Sequence, residues 1–124
     1  MITREFAERF AAEWIDAWNA HDLDRILMHY AETIRFTSPF IAAITGDSSG
    51  RLEGGAALRA YWQKALAAYP ELRFELIDTL VGADSVVLYY RSVKGMMAAE
   101  AMRFDAEGRV AEVWANYAPG DFRS

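Results

Sequence analysis

The chain has 124 residues, 53% hydrophobic and 25% charged, a composition that fits one globular domain over residues 1–124 with a core that needs no covalent staples. It has no cysteine, which excludes a disulfide framework and a thiolate metal site, and its formal net charge of -5, with Lys and Arg scattered singly, argues against a nucleic-acid partner. No apolar run approaches the roughly 20 residues of a membrane span and the first residues lack a signal-peptide pattern, so no membrane partner and a cytoplasmic location are expected.

Phe6, Phe10, Trp14, Ala17 and Trp18 recur at three- and four-residue spacing, which predicts a first helix with one apolar face and Thr3 as its cap. Asn19 to Asp22 interrupt the pattern. Asp22 is placed to cap a second helix in which Leu23, Ile26, Leu27 and Tyr30 repeat the spacing. From 32 to 40 the period becomes two, which predicts a strand ended by Pro39, with Ser38 as a polar residue at its inward end. The segment 40–53 reads as a long loop, and such loops often serve as lids or binding loops.

Gly54 and Gly55 lead into a third helix that buries Leu58, Tyr61, Trp62, Ala65, Leu66 and Tyr69 and stops at Pro70. The remainder reads as strands over 72–80, 85–94, 96–104 and 109–117, joined by short turns and hence antiparallel. Helices come early and strands late, the order of an α+β fold.

The stretch from Trp14 to Asp24, the segments His29-Tyr30-Ala31-Glu32 and Phe36-Thr37-Ser38-Pro39, the helix entry from Gly54 to Trp62 and the hairpin from Met102 to Val110 together resemble the nuclear transport factor 2-like superfamily. The likeness is strongest to its SnoaL-like and ketosteroid isomerase-like branch. It implies a cone-like, curved, mostly antiparallel mixed sheet packed on three N-terminal helices (a cystatin-like α+β roll), often a homodimer joined through the outer sheet face. The fold hosts isomerases, cyclases, hydrolases and non-catalytic binding proteins, so it does not name an activity.

In the strand 96–104, Met96, Ala98, Glu100, Met102 and Phe104 share a face. A carboxylate among such neighbours is costly to bury ionised, so Glu100 either takes a raised pKa or pairs with Arg91 or Arg73. By resemblance it occupies the place of the carboxylic acid that donates to the oxyanion in ketosteroid isomerases. Ser38 stands where those enzymes carry an Asp base, and Trp14 stands at their oxyanion-hole tyrosine. A serine without an adjacent base cannot abstract a carbon-bound proton. Steroid isomerisation by that set of groups is therefore not expected.

His29 lies beside the buried stripe of the second helix, where it is either a structural hydrogen-bonding residue or a neighbour of the pocket; His21 is read as an exposed turn residue. Glu100, Ser38 and His29 are the candidate catalytic residues. Trp14, Trp18, Phe36, Trp62, Tyr90, Met96, Met102 and Tyr117 are the candidate ligand-binding residues, at a spacing that also suits a plain core. No metal and no cofactor are expected. The leading functional expectation is a dimeric pocket protein for an apolar ligand, an isomerase, cyclase or hydrolase acting on a polyketide- or steroid-like ring. The others are a non-catalytic ligand-binding module and a protein-interaction module.

Overall fold

The computed structural model describes residues 1–118. Helix α1, Arg4–Asn19, starts at Thr3, whose hydroxyl accepts from the Phe6 amide at 3.1 Å. Its apolar face is buried along Ala7, Phe10, Ala11, Trp14, Ala17 and Trp18. Asp22 caps the one-turn helix α2, Leu23–Leu27, by accepting from the Arg25 amide. Between them the chain is pinned rather than loose. Asn19 exchanges two hydrogen bonds with the backbone of Phe74, at 3.0 and 2.7 Å, and His21 Nε2 lies 2.8 Å from the Leu72 carbonyl oxygen. His21 is thus half-buried, not the exposed turn residue expected, and these bonds anchor its left-handed backbone, φ 56°.

Strand β1, Tyr30–Thr37, begins earlier than the pattern predicts, so Tyr30 belongs to the sheet and not to the second helix. The predicted loop 40–53 is mostly regular: Pro39–Thr45 forms helix α3 and Arg51–Glu53 forms strand β2. Ser38 caps α3 by accepting from the Phe40 amide at 3.2 Å, Pro39 takes the first turn, and Gly46 closes the helix at φ 81°. A capping serine, proline and terminal glycine around an apolar run are a helix signature, here overlooked because the run is short. Helix α4, Gly55–Ala68, follows and buries Leu58, Tyr61, Trp62 and Ala65.

The last third is the meander β3, Glu75–Val81; β4, Ser85–Arg91; β5, Met97–Phe104; and β6, Val110–Tyr117. A tight turn at Val93–Gly95 takes the end of the strand predicted over 85–94. The six strands form one curled, open sheet in the order β2-β1-β6-β5-β4-β3. Every pairing is antiparallel except β1 with β6. This is the α+β architecture expected, with α3 as a fourth helix. Burial alternates strictly along β5, where Ala98, Glu100, Met102 and Phe104 face inward. The inner sheet face, α1 and α4 enclose the core.

Candidate functional site

Aromatic side chains too wide to fill the curl without gaps leave a cavity of about 50 Å3 between α1, α3, α4 and the sheet, room for a few water molecules. Trp14, Trp18, Phe36, Trp62, Tyr90 and Tyr117 line it together with Glu100. Among the described lining residues Glu100 is the one carboxylate, and no Lys, Arg or His joins it. The rings brace each other: Trp18 meets Trp62 edge-on at 5.0 Å, and Trp14 stacks on Phe74 at 5.7 Å.

Glu100 is 4% exposed. In the register of β4 and β5 it stands opposite Leu88, and Tyr90 stands opposite Ala98, so Tyr90 is its diagonal neighbour on the inner face. That geometry lets the Tyr90 hydroxyl donate to Glu100 Oε1 at 2.7 Å. Arg91, the next residue in the strand, points to the opposite face and pairs with Glu75 at 3.3 Å. Arg73 is exposed and makes no ion pair among the described residues. Neither arginine neutralises Glu100. Burial pushes its pKa up to about 7, against the smaller downward pull of the Tyr90 hydrogen bond.

The hydroxyls of Tyr117, Ser38 and Tyr61 continue from Tyr90 along the wall, near enough to influence one another's ionisation. Ser38 is 2% exposed and caps α3 beside these tyrosines. Burial raises the pKa of each of these tyrosines, so all stay protonated. The indole N–H of Trp14 donates to the Tyr30 hydroxyl at 2.8 Å and is already engaged. The Trp18 Nε1 is different: it is buried and has no acceptor among the described residues. Leaving such a donor unpaired costs about 1–3 kcal/mol.

Three of the candidate residues lie elsewhere. Met102 is fully buried in the core, Met96 packs against its edge, and neither lines the cavity. His29 sits edge-on to Phe10 at 5.3 Å, also away from the cavity lining, with its Nε2 buried and unpaired. Desolvation lowers its pKa. Phe40 and Ile44 also join the wall because the segment expected to be loop forms α3, and Phe74 joins it where the Asn19 clamp draws it inward.

The SnoaL-like domain model matches residues 11–114, and the chain belongs to that family. Among solved structures, a SnoaL-like protein of unknown function from Burkholderia thailandensis E264 is 51% identical, covers 95% of this chain and 98% of its own, and superposes with a TM-score of 0.91. A protein of unknown function with a cystatin-like fold from Methylobium petroleophilum PM1 is 19% identical over 97% of this chain and 80% of its own, with a TM-score of 0.76. A provisionally assigned ketosteroid isomerase from Kribbella flavida DSM 17836 is 18% identical over 94% and 80%, with a TM-score of 0.73. At the two lower identities the likeness is one of fold. No curated protein matches the sequence.

Proposed function

We propose that this protein binds an oxygen-bearing apolar small molecule in the aromatic cavity and that Glu100 performs acid/base chemistry on it, as an isomerase, cyclase or hydrolase would. The observation that supports this most is a buried carboxyl group on the cavity wall, held among the described residues by one hydroxyl donor and by no cation. A carboxyl poised near neutrality can take a proton at one ligand atom and return it at another, or donate a hydrogen bond to a carbonyl oxygen. The family membership and the provisionally assigned isomerase of like fold agree with such a role.

A steroid- or polyketide-sized ring exceeds the present volume. Its entry requires the half-buried wall residues Ile44, Tyr69 and Val93 to move. One observation favours a second reading, a non-catalytic binding protein: Ser38 stands where a base would be needed, and no second carboxylate or histidine lines the described cavity.

Native mass spectrometry of protein purified from cell extract, repeated with Glu100→Gln, separates the possibilities. Catalysis predicts that the wild type converts a captured ligand and the variant retains it unchanged. Capture by both without conversion would support the binding reading, and capture by neither would remove both.

A further inference from the structure

The cavity adjoins a charged surface groove. Tyr69, Leu72, Ser92 and Val93 line the cavity and also line an adjoining surface groove. Arg73, Arg91 and Lys94 stand along that groove against a single carboxylate, Glu71. Arg91 shares its charge with Glu75, whereas Arg73 and Lys94 form no ion pair among the described residues.

This excess of positive charge is local. The chain carries 18 acidic against 13 basic side chains. Three other surface grooves hold at least as many acidic as basic side chains: Arg4 with Glu8 and Asp78, Arg35 and Arg51 with Glu53 and Glu112, and Arg9 with Asp84 and Asp105. The turn that carries Lys94 is also unusual. Its φ of 57° is a left-handed conformation that side chains rarely adopt, and only His21 shares it among the described non-glycine residues. The His21 side chain is tied to the Leu72 carbonyl, while Lys94 and Gly95 (φ 70°) are the two left-handed positions of a hairpin turn closed by the Met96 amide donating to the Val93 carbonyl at 3.2 Å.

We propose that this groove is an anion subsite of the cavity, so that the ligand carries a carboxylate or phosphate on an apolar body. The inference rests on the reading that the cavity takes an apolar ligand. The body would lie among the rings while the anion meets the guanidinium groups of Arg73 and Arg91, which bind planar oxyanions through paired donors, and the point charge of Lys94. An anchor remote from Glu100 fixes the register of the reacting end, which is where binding energy aids catalysis. The cations are exposed, so their attraction is modest and salt-sensitive.

Isothermal titration with 4-phenylbutyrate and its neutral counterpart 4-phenylbutyramide tests this. At low ionic strength the acid is expected to bind about five- to tenfold more tightly than the amide, a preference that shrinks in roughly 0.5 M salt. Arg73→Glu and Lys94→Gly should each bring that ratio toward one. Glycine suits the left-handed backbone at position 94, so Lys94→Gly should raise the melting temperature while losing the preference, which separates recognition from folding. Equal binding of acid and amide, or a preference that both variants keep, would overturn the anion subsite alone. Failure of both probes to bind would overturn it together with the pocket reading.

Discussion

The Tyr90 hydroxyl lies 2.7 Å from Glu100 Oε1 and is the only side-chain hydrogen bond found for that carboxyl among the described residues. Two opposed effects meet there. Removal from water disfavours the carboxylate, the hydroxyl donor favours it, and desolvation is the larger of the two. The residues flanking Glu100 on the inner face, Ala98 and Met102, supply no charge to reverse that outcome.

The first consequence is a pH-dependent stability. An unfolded glutamate titrates near 4.5, and Glu100 in the fold near about 7, so the native state holds the proton more tightly. The associated stability is complete below the unfolded value, declines as pH rises between the two and is lost above the folded value. The span corresponds to a loss on the order of 3 kcal/mol. Glu100→Gln removes the titration. Urea denaturation should find the variant more stable than the wild type by about 1–3 kcal/mol at roughly pH 8, with little difference near pH 4. A variant destabilised at the higher pH would show that the charged form is stabilised by a partner.

Ser38→Ala should cost about 1–2 kcal/mol, because it removes the cap of α3. Chemical denaturation measures the loss. A midpoint equal to that of the wild type would mean that α3 holds its place without the cap.

The helical faces and the inward row of β5 were legible in the sequence because burial imposes a period there: Phe10, Trp14 and Trp18 repeat as a helix, and Ala98, Glu100 and Met102 as a strand. What could not be read depended on contacts between distant segments. The diagonal placing of Tyr90 beside Glu100 follows from the β4–β5 register, which a one-residue slip would have inverted. The same holds for His29. Its place beside the apolar stripe was visible, but the turn into β1 directs it to Phe10 and away from the cavity lining.

The outer sheet face leads to an oligomerisation prediction. Leu80, Val87, Ala101 and Trp114 are register partners in sequence across β3, β4, β5 and β6, and Trp114 is 42% exposed. An apolar row of this kind is suited to a symmetric partner. Sedimentation at micromolar concentration should find a homodimer, and Trp114→Glu should shift it to monomer. A wild type that is already monomeric would leave this row without that role.

His29 should make the fold acid-sensitive. Desolvation depresses its pKa; Glu13 opposes and Arg25 reinforces the shift. The unfolded state therefore binds the proton more readily, and the stability present above the ordinary histidine pKa of about 6.5 is lost as pH falls through the folded value. His29→Leu removes this titration. Its stability relative to wild type should improve from about pH 8 to about pH 5, and a pH-independent difference would contradict the assignment.

The protonation state of Glu100 is the most direct test of the proposed chemistry. Carbon-13 NMR of protein labelled at glutamate side-chain carboxyls, with the Glu100 resonance identified by its loss in Glu100→Gln, follows the titration at that one group. The proposed role predicts a midpoint near pH 7, with the carboxyl largely protonated about one unit below it. A midpoint at or below the unfolded value of 4.5 would mean a stably charged Glu100, and the acid proposed for the cavity would not exist.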